Sequence, residues 1–354
     1  MNSFAVILPF VLSVIEYCVL LKLEHAYLQC RDNEGVPLDW WYLYKPPVDL
    51  TLFFDLKFSF ITPDSSGRWE PSDKYLTSDS MLQHTLAPIF RQYNEDVALV
   101  IYVKRDTTIN LAGSLARGVL MADETGGVWL YHTVPGLVNI KKNSQSFPLN
   151  ESLNGHLLMC MTLDLVDINE IFRALIHVYP KITYFRIPQR LQRLLPEWNV
   201  VVPPEKSKTI ESYRFTTRDK SLRIEVLYRT PGNRRSLYKN FASNKNIVLD
   251  VYEHRDSEYG TWICSDRYSV RSIEHISLKY PESVLYINNK TDEMRFAVST
   301  AAHWQQLGRG PPQYWACISN LDNDGSSNGG DLLCVENYMV WHAFDNFKVK
   351  EPLC

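Results

Sequence analysis

The sequence predicts an α/β fold made of two mixed α/β halves, and three observations lead to this prediction. Short apolar runs alternate with stretches of helical spacing, as in layered α/β proteins. The 354 residues are 45% hydrophobic and 22% charged with no low-complexity tract, so the chain can bury a large core. A polar, proline-interrupted segment at residues 201–208 separates two such mixtures. We therefore predict an N-terminal half over residues 27–200 and a C-terminal half over residues 201–354.

The first 26 residues have the character of a signal peptide. Residues 1–15 are almost entirely apolar, and Glu16, Lys22 and Glu24 follow them. A transmembrane helix needs about 20 nearly uninterrupted apolar residues, which this segment does not offer. We therefore predict that residues 1–26 are a cleaved signal peptide, that the protein is secreted or lysosomal, and that no membrane anchor is left after cleavage. An uncleaved anchor is the alternative.

Cysteine usage agrees with that compartment. One of the seven cysteines, Cys18, falls in the predicted signal peptide. The six that are left are Cys30, Cys160, Cys264, Cys317, Cys334 and Cys354. They include no Cys-x-x-Cys pair, so three disulfides are a better prediction than a zinc site, although six cysteines allow fifteen pairings. Asn150-Glu-Ser and Asn289-Lys-Thr are N-glycosylation sequons, which fit the same compartment.

The elements of the N-terminal half follow from local patterns. An aromatic strand precedes Pro46 and Pro47, which stop it, and a continuous apolar strand covers residues 97–103. Between them, residues 79–93 have helical spacing. A further strand at residues 157–165 leads into a helix that we predict to begin at Asp167 as N-cap and to end near Tyr179, before a proline.

A hairpin in this half carries the first candidate side chain. Two apolar runs, residues 119–122 and 128–131, flank a turn rich in Asp and Gly, which is the pattern of a β-hairpin. His132 stands where the second strand ends, and a loop positioned by a rigid sheet is a common place for functional residues. A lone histidine of this kind is more often structural, so its interpretation depends on the rest of the chain.

The C-terminal half repeats the mixture of strands and helices. Strands are predicted at residues 222–228, 247–252 and 284–287, with a helix at residues 237–244, and the part from His303 onward is rich in turns.

Several function classes have no support in the sequence. The chain contains no P-loop, dinucleotide fingerprint or Gly-x-Ser-x-Gly elbow. The loop at residues 320–331 does not have the ligand spacing of an EF-hand, so a polar loop tied by a disulfide is the better interpretation. The net charge of −3 means that any contact with a polyanion must use a local patch or histidines that become charged at acidic pH.

Taken together, four groups of residues resemble the deoxyribonuclease II family over essentially the whole mature chain. They are the opening Cys30-x-Asp32 with Gly35-x-Pro37-x-Asp39-Trp40 and Tyr44-Lys45-x-Pro47; the run from Gly118-Val-Leu to Trp129-Leu-x-His132-x-Val-Pro; Leu237-Tyr238 after a polar turn; and the closing Trp315-x-Cys317 to Gly329-Gly330-x-Leu-x-Cys334. Each group is weak alone, and their order, their spacing and the six cysteines make the set specific.

The resemblance implies both an architecture and an activity. It implies a phospholipase-D-like fold, in which two mixed α/β halves pack around a shared central cleft and each contributes one His-x-Lys element. It implies disulfides Cys30–Cys160, Cys264–Cys354 and Cys317–Cys334. The implied reaction is the hydrolysis of double-stranded DNA to 3′-phosphate ends at acidic pH, with no metal and no cofactor.

This sequence departs from the family pattern at the residues that matter most. The first His-x-Lys falls on Leu115-Ala116-Arg117, and the second on His303-Trp304-Gln305. His132 matches a third functional histidine of the family. The resemblance therefore implies His303 and His132 as catalytic residues and Arg117 and Gln305 as substrate-binding residues. Arg117 can bind phosphate through its planar guanidinium, whereas Leu115 can neither attack phosphorus nor carry a proton.

Two functional hypotheses stay open at this point, beside a third in which the protein is a purely structural secreted glycoprotein that does not bind DNA. The protein is an acid endonuclease that the loss of one histidine has weakened, since losing a general acid or base costs on the order of 10²- to 10⁴-fold in rate. Alternatively, it is a secreted, catalytically degenerate relative that binds nucleic acid or a protein partner.

Overall fold

The structure is a computed structural model, and it describes residues 28–47, 56–90, 96–108, 112–140, 147–199, 210–253, 270–279, 284–288, 292–300, 313–321 and 326–348. The predicted signal peptide and the predicted boundary segment at residues 201–208 lie outside these ranges, as do His303, Gln305, Cys264, Cys354 and Asn289.

In the first part of the chain, the elements are β1 (Cys30–Arg31), β2 (Pro37–Leu38), β3 (Trp40–Lys45), β4 (Lys57–Ile61), β5 (Glu70–Tyr75), α1 (Met81–Phe90), β6 (Ala98–Val103), β7 (Gly118–Ala122), β8 (Gly127–His132), β9 (His156–Leu163), α2 (Leu165–Val178) and β10 (Lys181–Arg186). In the second part, they are β11 (Glu211–Thr216), β12 (Arg223–Arg229), α3 (Leu237–Lys245), β13 (Leu249–Tyr252), β14 (Val270–Ile273), β15 (His275–Lys279), β16 (Val284–Asn288), β17 (Phe296–Ser299), β18 (Trp315–Ser319), β19 (Gly330–Glu336) and α4 (Tyr338–Asp345).

Two large sheets organise the described chain. The first has eight strands in the order β10-β6-β7-β8-β9-β3-β4-β5, and all neighbours are antiparallel. The second has seven strands in the order β11-β12-β19-β18-β17-β13-β14, and only the pair β13–β14 is parallel. β15 and β16 form a separate antiparallel hairpin.

The sheets pack in layers with helices. The central core lies between the two sheets and includes Phe172 of α2 and Phe344 of α4. α1 covers the outer face of the first sheet, and α3 covers the outer face of the second. Strand β3 shows why this fold buries whole strands: Tyr42 and Tyr44 point into the central core, while Leu43 points into the outer core. The predicted α/β class is confirmed.

The predicted hairpin is confirmed, and the predicted start of the helix after β9 is wrong. β7 and β8 pair with Gly118 opposite Tyr131. α2 has its N-cap at Asp164, because the amide of Asp167 already donates to the carbonyl of Asp164 at 3.1 Å. The carboxylate of Asp167 instead accepts a hydrogen bond from the Tyr213 hydroxyl at 2.7 Å. The helix ends as predicted, with Tyr179 in the left-handed conformation.

The chain after His303 contains more regular structure than its turn-rich sequence suggests. β18 and β19 are strands of the second sheet, and α4 packs into the central core. Layers cover both faces of β18, so its short sequence shows no polar alternation that would have revealed a strand.

Two predicted disulfides are present. Cys30–Cys160 joins β1 to β9, and Cys317–Cys334 joins residues that face each other on β18 and β19. The third predicted pair lies outside the described residues. Within the described ranges, no helix is long and apolar enough to cross a membrane.

Candidate active site at the ends of strands β8 and β9

The hairpin brings Arg117 and His132 together. The backbone amide of His132 donates to the carbonyl of Arg117 at 3.5 Å, and the Arg117 Nη1 donates to the carbonyl of Thr133 at 3.0 Å. Gly118 permits this packing, because a Cβ there would collide with the Tyr102 hydroxyl. Arg117 is partly buried, and burial lowers the pKa of its guanidinium, an effect that the nearby Glu293 opposes. The guanidinium is therefore held beside the imidazole.

His132 is almost completely enclosed. The residue is only 2% exposed, and its Nδ1 makes no hydrogen bond within the described part of the chain. Burial, and then the charges of Arg117 and His156, lower the pKa of His132 to about 3. The imidazole is therefore uncharged at about pH 5 in the free protein.

A second buried histidine lies on the next strand. His156 has 0% exposure, and its Nδ1 is 3.2 Å from the Thr133 hydroxyl. Its Nε2 is 3.2 Å from a carboxylate oxygen of Glu151. The nearby carboxylate favours the tautomer that carries its proton on Nε2 and accepts from the Thr133 hydroxyl at Nδ1. Burial lowers the pKa of His156, although Glu151 opposes the lowering.

Lys45 and Asp292 extend this cluster toward the second part of the chain. Lys45 pairs with His156 across β3 and β9, and its Nζ donates to the carbonyls of Ser152 and, at 2.7 Å, Asn154. Burial lowers the pKa of Lys45 to about 8, against the attraction of Asp292. Asp292 accepts hydrogen bonds from Tyr44 at 2.7 Å and from Tyr252 at 3.2 Å.

Asp292 is itself buried, and burial raises its pKa to about 7. It lies against Gly155, where a Cβ would collide with the carboxylate, and the amide of Glu293 donates to the Gly155 carbonyl at 2.9 Å. The turn before β9 is therefore locked to the segment before β17.

Leu115 lies where the resemblance implies the first motif histidine. It is 7% exposed, and its amide donates to the carbonyl of Gly329 at 3.3 Å, just before β19. An aliphatic side chain at this junction has no proton to give or take.

Asn150, a predicted glycosylation site, has an exposed side chain whose Nδ2 donates to Glu151 at 2.9 Å.

The structure thus places Arg117 and His132 together and adds His156, Glu151 and Lys45 to them. The pairing of His132 with His303 and the position of Gln305 stay predictions, since both partners lie outside the described residues. Within the described ranges, no group of three or more His, Cys, Asp or Glu residues is arranged to hold a metal ion.

Asp39, a residue of the resemblance, and Tyr131 and Asp331, which lie at unspecified positions within its motifs, have structural roles. Asp39 accepts hydrogen bonds from the Ser221 hydroxyl and, at 3.1 Å, from the amide of Asp219. The Tyr131 hydroxyl donates to Asp331 at 2.5 Å. Burial raises the pKa of Asp331 to about 7. These bonds join the strands of the first sheet to the second part of the chain.

A comparison with known protein families identifies the family of this layered α/β chain. The deoxyribonuclease II family matches residues 29–352, and the chain belongs to this family.

Similar proteins include the following three. Deoxyribonuclease-2-alpha of Bos taurus is 24% identical, over 94% of this chain and 92% of the relative. Deoxyribonuclease-2-alpha of Mus musculus is 22% identical, over 92% of this chain and 94% of the relative. Plancitoxin-1 of Acanthaster planci is 23% identical, over 99% of each chain.

Proposed function

We propose that this protein is an acid endonuclease of the deoxyribonuclease II type that hydrolyses DNA phosphodiesters to 3′-phosphate ends without a metal, at a reduced rate. The observation that carries the proposal is the Arg117–His132 pair at the end of β8, in a chain that matches the family from residue 29 to residue 352. We place the site in a phospholipase-D-like cleft between the two halves, and we place the protein outside the cell or in the lysosome.

Arg117 and Gln305 bind the scissile phosphate in this proposal. Arg117 offers two parallel donors to phosphate oxygens, and Gln305 offers a neutral amide donor where the family has a lysine. The phosphate charge also acts on His132. Burial is the main cause of the low pKa of His132 and the positive charge of Arg117 is the next, so a bound phosphate that offsets this charge raises that pKa by removing one of the causes. Substrate binding therefore prepares the imidazole to take up a proton.

The reaction then proceeds in two steps. A ring nitrogen of His303 attacks phosphorus, the bond from phosphorus to the 5′-oxygen breaks, and protonated His132 gives its proton to that oxygen. Water then attacks the phosphohistidine and gives a proton to the neutral His132. This step frees His303 and leaves a 3′-phosphate. Leu115 takes no part, which is the reason for the reduced rate.

Plasmid nicking at about pH 5 in chelator tests this function, since the proposed proton donor is a histidine. We expect nicking above that of a His303→Ala variant, with ends that a polymerase extends only after phosphatase treatment. Nicking that does not exceed the His303→Ala background overturns the proposal. If Leu115 limits the rate, Leu115→His raises it by about 10²-fold or more, whereas the matched Leu115→Asn, which cannot transfer a proton at this pH, does not.

One observation favours a second candidate, a degenerate relative that binds nucleic acid without cleaving it. The buried aliphatic side chain of Leu115 stands where the chemistry needs a proton carrier. Salt-sensitive retention of DNA without nicking, and with no gain from Leu115→His, supports this candidate. Cleavage above the His303→Ala background refutes it.

A further inference from the structure

A groove of about 640 Å³ lies apart from the strand-end cluster described above. Its walls come from the β4–β5 loop, the β15–β16 hairpin and helix α4. Its floor is apolar: the rings of Trp69 and Phe347 are stacked with centroids 4.7 Å apart. The Trp69 ring also packs edge-on against Tyr44, whose strand ends at Lys45. The groove and the candidate active site are therefore built on the same strand.

The walls of the groove are predominantly basic. Arg68 and Lys279 are exposed, and neither forms an ion pair within the ranges that the structure describes. His342 joins them on the helix side, where its Nδ1 lies 2.8 Å from the carbonyl of Gly67. Glu70 is the acidic residue of the lining. Among the described residues of the lining, three basic side chains against one carboxylate favour an anionic ligand.

Two exposed tyrosines flank these basic residues. Tyr286 is 70% exposed and lies opposite Ser277 in the β15–β16 hairpin, so both side chains are on the same face, and Ser277 lines the groove. Tyr338 is 55% exposed, and its ring centroid is 5.7 Å from that of His342. Large aromatic rings that face solvent beside basic side chains offer surfaces on which bases can stack.

We propose that this groove binds a single strand of nucleic acid. Its phosphates contact Arg68, Lys279 and His342, and its bases stack on Tyr286 and Tyr338. The single strand is preferred because a base inside a duplex is already stacked on both faces, whereas an unpaired base can lie against a tyrosine ring. The inference rests on the proposed function only in taking DNA as the ligand class.

The test is a binding measurement that does not depend on cleavage. Fluorescence anisotropy of a labelled oligothymidine is recorded with the full-length chain in the His303→Ala background. We expect Arg68→Glu with Lys279→Glu to weaken binding at least about tenfold. The slope of the logarithm of the binding constant against the logarithm of the salt concentration becomes shallower by about 0.7 for each lost phosphate contact. Tyr286→Ala weakens binding about tenfold, and Tyr286→Phe retains it.

The matched control reverses two charges elsewhere. Lys181 lies on β10, which is the edge of the first sheet opposite to β5, and Arg193 follows it along the chain. Both are exposed. We expect Lys181→Glu with Arg193→Glu to bind the oligonucleotide as the parent does. Thermal unfolding of every variant checks that each one is folded.

Three results overturn the proposal: equal affinity of the two charge-reversed variants, an unchanged affinity of Tyr286→Ala, or a Tyr286→Ala variant that loses as much affinity for a duplex of the same length as for the oligothymidine. If Tyr286→Ala binds as the parent does, the groove binds phosphate without stacking bases. Displacement of the probe by inorganic phosphate identifies such a phosphate site. Failure of the proposed endonuclease function is recognised separately, because it shows as absent nicking by the parent protein whether or not the groove binds DNA.

Discussion

Burial shifts the pKa values in two polar regions of this protein in opposite directions. At the ends of β8 and β9, burial lowers the pKa of His132 to about 3 and also lowers that of His156. Between the sheets, burial raises the pKa of Asp331 to about 7. In each case burial disfavours the charged form, which is the protonated form of histidine and the deprotonated form of aspartate.

The candidate active site and the centre of the fold therefore contribute most to stability at different pH values. An imidazole that stays neutral in the folded protein costs stability as pH falls, because the unfolded chain takes up the proton. A carboxyl that stays protonated in the folded protein costs stability as pH rises, because the unfolded chain releases the proton. Acidic conditions, where the proposed reaction takes place, therefore stabilise the centre and destabilise the site.

The largest expected effect separates the two regions by function. His132→Ala lowers the initial rate of plasmid nicking at about pH 5 by 10²- to 10⁴-fold, because it removes the proposed proton donor. Asp331→Asn and His84→Ala, which change the other region and the outer helix α1, leave the rate within about threefold. A rate for His132→Ala within threefold of the parent removes this residue from the mechanism.

The next effect is on the pH dependence of stability at the centre. Asp331 has an ordinary pKa of 3.8 and a folded pKa of about 7, so its contribution is present at low pH and is lost as pH rises through 7. Relative to Asp331→Asn, which keeps an acceptor for Tyr131, the parent loses about 3 kcal/mol of unfolding free energy between pH 5 and pH 8. Urea unfolding at several pH values measures the difference, and parallel curves for the two proteins contradict the assignment.

A smaller effect of opposite sign is expected at the site. His132 has an ordinary pKa of 6.5 and a folded pKa of about 3, so its contribution is present above pH 6.5 and is lost as pH falls. Relative to His132→Gln, the parent loses about 2 kcal/mol of unfolding free energy between pH 8 and pH 5. The same urea series serves as the measurement. If the substitution leaves the pH dependence unchanged, His132 is not held neutral by burial.

The smallest effect concerns the partner of His156. Glu151→Ala removes the carboxylate that lies 3.2 Å from the Nε2 of a fully buried imidazole, which costs about 1–2 kcal/mol of unfolding free energy. Glu151→Gln is the matched control, because its amide oxygen can occupy the same place beside Nε2. We expect thermal unfolding to show a clear decrease for Glu151→Ala and a much smaller one for Glu151→Gln. Equal melting temperatures for the two variants contradict this role of Glu151.

Much of the fold could be predicted from local sequence. The hairpin carrying His132, the aromatic strand before Pro46 and the end of the helix at Tyr179 follow from periodicity and turn residues. Local patterns did not predict β18, because both of its faces are covered. They also misplaced the start of α2, because Asp167 accepts a hydrogen bond from Tyr213, which is distant in sequence, and does not cap the helix.

The sequence by itself determined the family, the α/β class and two described disulfides, and it selected Arg117 and His132 as candidate site residues. Tertiary structure alone decided the environment of these residues. His156 and Glu151 have no motif spacing, and β3 brings Lys45, a residue of the Tyr44-Lys45-x-Pro47 motif, beside His156 across 111 positions of chain. Charge state depends on burial and on neighbours that are distant in sequence, and only the packed strands specify those neighbours.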